Sequence, residues 1–423
     1  MLTSPLEELA WRQLIAQHTE GLPEMLERGA VSAYCGFDPT APSLHVGNLV
    51  PIMGLVHLQR AGHRPIALVG GGTGLIGDPS GKASERPLAS TETVSANAAL
   101  LRSQLERFLD FSGPSAARMR DNADWLTRLR AVDFMRDVGK HFTVNYMMAK
   151  ESVKTRLEEG ISYTEFSYML LQAYDYLELY RREGATLQIG GSDQWGNITA
   201  GMELIRRSDG GDAHALTLPL VTTASGTKFG KTEAGAVWLD ASLTSSYKFY
   251  QFWINADDRD VGRYQRFFTL LPRTEIEAWD KEVAEQPERR EAQRVLAKEV
   301  TTRVHGAAAA RVCEEMSDLL FGGADARTLS EAALVALGSE IPFVEVVATT
   351  DGALDALDLF IAARLIASKG AGRRLLEQGG LYANGARLAS SDRTIPLDSL
   401  LEGGHLLLRK GTREYCLVAV RRG

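Results

Sequence analysis

Residues 31–85 alternate strand-like and helix-like segments in an order that strongly restricts the fold. Val31–Phe37 is short and β-prone, Val46–Ala61 has the apolar periodicity of a helix, and Pro65–Val69 has the composition of a buried strand. A polar, glycine-rich stretch runs from Gly70 to Glu85 directly after the second strand. This order is typical of the start of a parallel α/β sheet, in which functional loops follow the carboxyl ends of the strands.

A capping box continues the same pattern further along the chain. Ser162 is followed three residues later by Glu165, which predicts the start of a long helix that ends near Arg182. The next predicted elements are a strand, a helix and a strand, over Thr186–Ile189, Asp193–Arg207 and Ala215–Val221. Thr244–Gly322 has helical periodicity throughout, and Asn384-Gly385 is a strong turn signal between short strands.

Composition excludes several classes of protein. A chain of 423 residues with 44% apolar residues predicts two to four globular domains. No apolar run approaches the roughly 20 residues that span a bilayer, so no membrane partner is expected. The first fifteen residues lack the pattern of a secretory signal. Three scattered cysteines without metal-ligand spacing (Cys35, Cys313, Cys416) favour a reduced, cytoplasmic setting.

Charge is distributed unevenly along the chain. The formal charge is −7, but residues 356–423 carry eleven basic and six acidic side chains, a local charge of +5, against −12 for the remainder. A basic terminal module on an acidic body suits an enzyme that contacts RNA. A chance surface imbalance explains the same numbers equally well.

Two short signatures far apart in the chain predict one nucleotide site. His45-Val46-Gly47-Asn48 lies at the start of a predicted helix, where unpaired N–H groups and the helix dipole favour phosphate. Lys228-Phe229-Gly230-Lys231-Thr232 places two cations three positions apart on a loop that contains glycine. A triphosphate would use both, the first for ground-state binding and the second for charge that develops later.

The glycine segment after the second predicted strand has competing interpretations. Gly72-x-Gly74-x-x-Gly77 matches the dinucleotide fingerprint, but the following Asp78-Pro79-Ser80-Gly81 breaks the helix that the fingerprint requires. The segment also lacks the first glycine and the hydroxyl residue of a phosphate loop. It is either a surface loop or a close approach of backbone to a ligand, with Asp78, Lys82 and Arg86 directed toward that ligand.

Polar residues on the capped helix suggest a pocket. Tyr168, Gln172 and Asp175 share one face, which would be merely solvated on an isolated helix. If the first strand packs beside this helix, Tyr34 and Asp175 would hold a hydroxyl, while Tyr168, Gln172 and Asp78 would hold an ammonium. Near the next predicted helix, Asp193 would accept hydrogen bonds from ribose or serve as an N-cap, and Gln194 would reach a carboxylate.

Taken together, these motifs resemble those of the bacterial-type tyrosyl-tRNA synthetases over essentially the whole chain. The resemblance rests on residues 34–40, 45–48, 77–82, 168–175, 190–197 and 228–232. Two differences from the family's usual signatures are visible: Asn48 replaces a histidine, and Phe229-Gly230 with Thr232 replaces the common second signature.

The resemblance implies an architecture. It predicts a doubly wound parallel-sheet (Rossmann-like) α/β catalytic domain, then an all-helical domain, then a small α+β RNA-binding domain similar to one first described in a ribosomal protein. It also implies a homodimer built through an inserted connecting region. The predicted boundaries are 1–223 with the insertion at about 105–160, a mobile loop and linker over 224–243, 244–325 for the helical domain, a linker over 326–352, and 353–423.

The resemblance further implies substrates and residue roles. The substrates would be L-tyrosine, ATP with Mg²⁺, and tRNA(Tyr). Residues acting on the phosphates would be Thr40, His45, Lys82, Arg86, Lys228 and Lys231. Tyrosine would be held by Tyr34, Asp78, Tyr168, Gln172, Asp175 and Gln194. The nucleotide would contact Cys35, Gly36, Asp38, His45, Gly47, Asn48, Gly190, Gly191, Asp193, Lys228, Lys231 and Thr232.

Two alternative functions remain at this point. The sister tryptophan enzyme shares the fold, although Tyr34 with Asp175 suits a phenol better than an indole. A non-catalytic RNA-binding protein on the same fold would account for the missing signature histidine, but not for the intact phosphate and substrate groups.

Overall fold

The computed structural model describes residues 4–80, 88–150, 153–154, 160–226, 229–232, 235–348 and 353–422. The chain forms two compact units. One comprises residues 1–245 with 252–304, and the other comprises residues 246–251 with 305–423. In the described part of the chain, no helix is both long enough and apolar enough to cross a membrane.

The first unit is built on a six-stranded sheet with the order β1-β6-β5-β2-β3-β4. Its strands are β1 (Gln17–His18), β2 (Ser32–Phe37), β3 (Arg64–Val69), β4 (Arg118–Asp121), β5 (Ala185–Gly191) and β6 (His214–Leu218). All neighbours pair in parallel except β1 with β6. The chain proceeds outward from β2 through β3 to β4, then returns to the other side of β2 with β5 and β6. This is the predicted doubly wound sheet.

Helices of the first unit follow the predicted periodicity. They are α1 (Pro5–Trp11), α2 (Leu22–Arg28), α3 (Leu49–Arg60), α4 (Thr91–Leu105), α5 (Ala123–Leu126), α6 (Ala131–Asp137), α7 (Val144–Met148), α8 (Tyr163–Glu183) and α9 (Trp195–Asp209). The capping prediction for α8 is confirmed, because the Ser162 hydroxyl accepts from the Glu165 N–H over 3.2 Å. Nearly all of α3 is buried, which explains its uniformly apolar sequence.

The chain then passes through a small hairpin into more helices. The hairpin pairs β7 (Lys231–Thr232) with β8 (Gly235–Ala236). The helices that follow are α10 (Ser246–Ile254), α11 (Asp258–Phe268), α12 (Arg273–Glu285), α13 (Glu291–His305) and α14 (Ala307–Ser317). The helical character predicted from Thr244 onward is therefore present, but residues 252–304 belong to the first compact unit rather than to a separate one.

The second unit contains a five-stranded sheet with the order β12-β11-β14-β15-β9. Its remaining elements are α15 (Glu331–Glu340), β9 (Phe343–Ala348), β10 (Ala353–Asp355), α16 (Ala356–Ala362), α17 (Lys369–Glu377), β11 (Leu381–Ala383), β12 (Ala386–Arg387), β13 (Thr394–Pro396), β14 (His405–Lys410) and β15 (Glu414–Arg422). Asn384 and Gly385 both have positive φ and form the turn between β11 and β12, as predicted.

The segment predicted as a linker over 326–352 is structured instead. It contains α15, whose Leu334 and Leu337 are buried, and β9, which pairs in parallel with β15. The glycine pair at 322–323 and the turn signal at 349–352 bracket this segment in the sequence. Because a parallel pairing of this kind joins residues more than sixty positions apart, the local sequence gave no sign of it.

Candidate active site

A cavity of about 670 Å³ opens at the carboxyl ends of β2 and β5. These two strands are the neighbours between which the winding direction of the sheet reverses, where ligands bind in open α/β folds. The cavity is lined by most of the residues that the sequence predicted: Tyr34, Cys35, Gly36, Asp38, Thr40, His45, Gly47, Asn48, Asp78, Tyr168, Gln172, Asp175, Gly190, Gly191, Asp193 and Gln194.

Five predicted residues are described incompletely or lie outside the described residues. Lys82, Arg86 and Lys228 lie outside the described residues. For Lys231 and Thr232 the main chain is described, and it forms β7.

The first signature forms a closed cap at the start of a short 3-10 helix. The Gly47 N–H donates to Nδ1 of His45 over 3.0 Å, and the His45 N–H donates to Oδ1 of Asn48 over 3.0 Å. Because Nδ1 accepts, the ring carries a proton on Nε2. Asn48 uses its amide oxygen to complete the cap, so only its amide nitrogen remains to donate.

Main-chain hydrogen bonds join the two signatures. The Val46 N–H donates to the Val237 carbonyl over 3.0 Å, and the Val237 N–H donates to the Gly230 carbonyl over 3.0 Å. The ring of Trp238 lies 6.2 Å from that of His45 between centroids. The main chain of the second signature therefore lies against the first signature, although the two are more than 180 residues apart in sequence.

At the inner end of the cavity are a tyrosine and a buried carboxylate. Tyr34 is 1% exposed, and its hydroxyl has no hydrogen-bond partner among the described residues. Its ring meets that of Tyr176 edge-on at 5.1 Å. Asp175 accepts from Nδ2 of Asn122 over 2.8 Å and from Nε1 of Trp125 over 2.7 Å. Burial raises the pKa of Asp175 to about 8, although both donors favour its ionised form.

Tyr168, another polar residue of α8, is hydrogen-bonded to an acidic residue that follows β2. The Tyr168 hydroxyl donates to Oδ2 of Asp38 over 2.8 Å, and the other oxygen of Asp38 accepts from Thr73 over 2.7 Å. Burial, followed by the charge of Asp38, raises the pKa of Tyr168 well above its ordinary value. Asp38, predicted as a nucleotide contact, is thus directly bonded to a residue predicted to hold the amino acid.

A second chain of amides leads to Asp78. Gln194 donates through Nε2 to Oδ2 of Asp78 over 2.7 Å, and Gln172 donates to Oε1 of Gln194 over 3.2 Å. Asn197 donates to the amide oxygens of both glutamines. Two of the three predicted ammonium-binding groups, Gln172 and Asp78, are therefore connected through Gln194.

Gly190 and Gly191, which also line the cavity, are closely packed. A Cβ at Gly191 would lie 2.5 Å from Oδ1 of Asp193, and one at Gly190 would lie 3.1 Å from Cβ of Gln194. The 3-10 helix here begins at Ser192 with Gly191 as its N-cap, so Asp193 is not the N-cap. Cys35, on β2, is buried, and this burial raises the pKa of its thiol to about 12.

Sequence reasoning missed Asn122, Trp125, Thr73 and Asn197. The first two follow β4, at the same edge of the sheet as the ends of β2 and β5. The rule that functional residues follow strand ends would have selected them, had β4 been recognised as a strand. Residues 121–160 were instead interpreted only as helical.

Comparison with known families decides between the remaining possibilities. The family "tRNA synthetases class I (W and Y)" matches residues 26–322, and "Tyrosine--tRNA ligase SYY-like C-terminal domain" matches residues 335–418. The chain belongs to the tyrosyl-tRNA synthetases of class I. The predicted family, enzyme class and fold are confirmed.

Tyrosine–tRNA ligases from other organisms match this synthetase over nearly its whole length, and solved structures match about three quarters of it. A tyrosine–tRNA ligase of Anaeromyxobacter dehalogenans is 56% identical over 98% of this chain and 99% of its own. One of Bacillus caldotenax is 53% identical with the same coverage of both chains. A C-terminally truncated mitochondrial tyrosyl-tRNA synthetase of Aspergillus nidulans is 30% identical with a TM-score of 0.68, and the match covers 75% of this chain and 94% of that one. A tryptophanyl-tRNA synthetase of Encephalitozoon cuniculi, 13% identical with a TM-score of 0.52 and covering 72% and 87%, shares the fold.

Proposed function

We propose that the cavity activates L-tyrosine with ATP and transfers the tyrosyl group to the 3′ end of tRNA(Tyr). The observation that carries this proposal is the buried Tyr34 hydroxyl, which lacks a partner in the described part of the protein and lies at the end of the cavity with Asp175. A buried polar atom of this kind needs a ligand group to complete it. A substrate phenol hydroxyl would supply that group.

The amino-acid end would be read by two sets of side chains. Tyr34 and Asp175 would hold the phenol, and an analogue without the hydroxyl would leave both of them unpaired. Asp78, Tyr168 and Gln172 would hold the ammonium, since they combine a carboxylate with neutral acceptors. Gln194, whose amide already contacts Asp78, would orient the substrate carboxylate toward the nucleotide.

The nucleotide end would act by position and charge. The tyrosine carboxylate attacks the α-phosphorus of ATP, and pyrophosphate leaves. His45 and the Thr40 hydroxyl would donate to the phosphate oxygens as charge develops. Lys82, Arg86, Lys228 and Lys231 would neutralise the leaving pyrophosphate. Adenosine would contact Cys35, Gly36, Asp38, Gly47, Asn48, Gly190, Gly191, Asp193 and Thr232.

The second step would take place on the same adenylate. A ribose hydroxyl of the terminal adenosine of tRNA attacks the acyl carbon, and AMP leaves. No protein nucleophile is needed in either step, so catalysis would be positioning together with electrostatic stabilisation. We expect Mg²⁺ to enter with ATP, because the described residues contain no cluster of three or more metal-binding side chains.

We assign tRNA binding to residues 353–423, which are part of the second unit, with support from the helical residues 244–325. On β14, Arg409 pairs across the sheet with Tyr382 and with Tyr415. Its guanidinium lies 3.9 Å from the ring centre of Tyr382 and 5.9 Å from that of Tyr415. A cation between two aromatic rings suits the phosphates and bases of RNA.

We also propose a homodimer in the cytoplasm, built through the insertion at about 105–160. Large apolar side chains are exposed in and beside this insertion: Val132 at 77%, Val144 at 60%, Met135 at 51% and Tyr163 at 66%. Such a patch is a candidate interface. All three cysteines are free and buried, which is compatible with a reducing compartment.

One experiment separates the proposed activity from its rivals. The purified chain is assayed for exchange of labelled pyrophosphate into ATP with tyrosine, tryptophan or phenylalanine, and then for charging of tRNA. Exchange with tyrosine and subsequent charging support the proposal. Exchange with tryptophan would indicate the sister activity. RNA binding without exchange would indicate a non-catalytic protein.

A further inference from the structure

One face of α11 contacts the chain at two places, just before the second signature at residues 222–224 and within it at Phe229. Asp260, Tyr264 and Phe268 recur every four residues and therefore share this face. All belong to the first compact unit, as do residues 222–230. None of these helical residues lines the substrate cavity in the described structure. Their contacts form two separate anchors.

The first anchor is an ion pair between a buried carboxylate and a partly exposed arginine, and it holds main-chain groups. Asp260 is 3% exposed, and its Oδ2 accepts from the Ala224 N–H over 2.8 Å. Its Oδ1 accepts from Arg263 over 2.7 Å. The same guanidinium donates to the carbonyl oxygen of Thr222. A charged pair on the helix thus fixes one N–H and one carbonyl of residues 222–224.

The second anchor is an aromatic pocket around Phe229. The Phe229 ring is 6% exposed and stacks on Phe268 at 5.3 Å with an interplanar angle of 9°. Tyr264 lies 5.1 Å away, and Trp253 lies 5.8 Å away. Several buried ring contacts of this kind fix the position of Phe229, which lies between the two signature lysines in the sequence.

The two anchors enclose a short span. Only four residues, 225–228, separate Ala224 from Phe229, and the last of them is Lys228. After Phe229, the Gly230 carbonyl is bonded to Val237, which is bonded to the first signature. The stretch with the signature lysines is therefore attached to α11 on one side and to the first signature on the other.

We propose that Asp260 and Arg263 are positioning residues for tyrosine activation. They act through the main chain at 222–224 by fixing where the second signature begins, and they contact neither substrate. The inference rests on the proposed function of the signature lysines, because those lysines are what the anchor would place against the pyrophosphate.

The test compares two variants, each of which neutralises a carboxylate that pairs with an arginine of α11. Asp260→Asn removes the charge that pairs with Arg263. Asp280→Asn removes the charge that pairs with Arg266, another arginine of α11. Among the described residues of 222–230, none forms a hydrogen bond or ion pair with Asp280. Single-turnover formation of tyrosyl-adenylate and equilibrium binding of tyrosine are measured for each variant.

We expect Asp260→Asn to slow adenylate formation by about 10- to 100-fold, as a misplaced catalytic group would. Tyrosine affinity in this variant, and both quantities in Asp280→Asn, should stay within about twofold of wild type. Equal rates in the two variants would overturn the inference. So would a parallel loss of tyrosine affinity, which would indicate general damage to the site.

A double variant distinguishes positioning of the lysines from a general structural effect. If Asp260 acts through the second signature, Asp260→Asn combined with Lys231→Ala should be little slower than Lys231→Ala alone. Additive losses would overturn the inference while leaving the role of Lys231 intact. If Lys231→Ala is as fast as wild type, the proposed role of the lysines fails and this inference fails with it.

Arg263→Lys provides a second route if Asp260→Asn does not fold. Lysine keeps the charge but loses the planar fork that serves Asp260 and Thr222 together. We expect a smaller slowing with the same unchanged tyrosine affinity. A wild-type rate in this variant would count against the anchor.

Discussion

The Val46 N–H donates to the Val237 carbonyl over 3.0 Å and so ties the start of the first signature to the residue that follows β8. The Leu239 N–H donates to the Leu44 carbonyl over 2.8 Å and extends the same connection. The proposed triphosphate site therefore has a backbone link between its two parts, independent of any ligand. A change in one signature's backbone should be felt by the other.

Gly230 is the position where this link is most easily tested. Its φ is +76°, and an added Cβ would lie 2.6 Å from Cγ2 of Val46. Gly230→Ala should therefore force the second signature away from the first, at a cost of about 1–3 kcal/mol for the backbone strain alone. We expect adenylate formation to slow by about 10-fold or more, with tyrosine binding nearly unchanged.

Gly226→Ala is the matched control for this prediction. Gly226 has a similar φ of +79°, but an added Cβ there would meet no atom within 4 Å in the described chain. Gly226→Ala therefore has the same cost of backbone strain but no contact with Val46. The rate of adenylate formation in the two variants is compared in single turnovers, and equal slowing would show that the Val46 contact is unimportant.

Tyr34→Phe should separate ligand recognition from stability. The Tyr34 hydroxyl has no partner in the described protein, so its removal leaves no donor or acceptor unpaired in the free synthetase. We expect an unchanged or slightly higher melting temperature. The dissociation constant for tyrosine should rise by a factor that corresponds to about 0.5–1.5 kcal/mol, while that for phenylalanine stays constant.

Tyr176→Phe serves as the control, because its ring packs against that of Tyr34. The Tyr176 hydroxyl donates to the His214 carbonyl over 2.8 Å. Its loss should lower the melting temperature and leave tyrosine affinity nearly unchanged. The opposite pattern in the two variants would refute the assignment of Tyr34 to the substrate hydroxyl.

The raised pKa of Asp175 predicts a specific pH dependence of the free energy of unfolding. Its pKa in the folded protein is about 8, above the value of about 3.9 in an unfolded chain. Between these values the folded state holds more protons than the unfolded state, so this residue's contribution to stability is full below about pH 4 and is lost as the pH rises to about 8. The slope is at most about 1.4 kcal/mol per pH unit.

Asp175→Asn removes this titration and isolates it. The difference in free energy of unfolding between wild type and the variant, measured in urea from pH 5 to pH 9, should change steadily up to pH 8 and then level off. A difference that is constant with pH would show that Asp175 is ionised throughout. The two donors at 2.7 and 2.8 Å would then outweigh its burial.

The elements that local sequence determines were predicted well. Ser162 caps α8 and Asn384-Gly385 turns between β11 and β12, because in each case the signal and the structure involve neighbouring residues. Most of the residues predicted for the site also line the cavity, since signatures and strand ends mark them. Their assembly into one cavity follows from the sheet order, which the strand–helix–strand pattern already indicated.

Long-range partners were not predictable in the same way. Nothing near Trp125 in sequence indicates that its indole donates to Asp175, fifty residues later. Likewise, β9 lies in the segment predicted as a linker, and its partner β15 is more than sixty residues away in sequence. In both cases tertiary contacts, rather than local propensity, decide the structure.

Trp125→Phe tests one of the residues that sequence reasoning missed. The substitution removes the indole N–H that donates to Oδ1 of Asp175 and keeps an aromatic ring in the core. Loss of a donor to a buried carboxylate costs about 1–3 kcal/mol. We expect a lower melting temperature and weaker tyrosine binding, both measured against Trp195→Phe, which changes a tryptophan that does not donate to Asp175. Equal effects of the two substitutions would contradict a special role for Trp125.

Arg409→Gln should affect tRNA without affecting tyrosine activation. Arg409 lies between Tyr382 and Tyr415 on one face of the second unit's sheet, whereas Arg421 on β15 is paired with Glu345 at 2.6 Å. An arginine that contacts a phosphate contributes about 0.7–0.9 to the slope of log affinity against log salt concentration. We expect Arg409→Gln to weaken tRNA binding and to reduce that slope by about this amount.

Arg421→Gln should change both the affinity and the slope much less, because the charge of Arg421 is already compensated by Glu345. Tyrosine-dependent pyrophosphate exchange should be unaltered in both variants, since neither arginine belongs to the compact unit that holds the cavity. Equal salt slopes for wild type and Arg409→Gln would show that the RNA binds elsewhere.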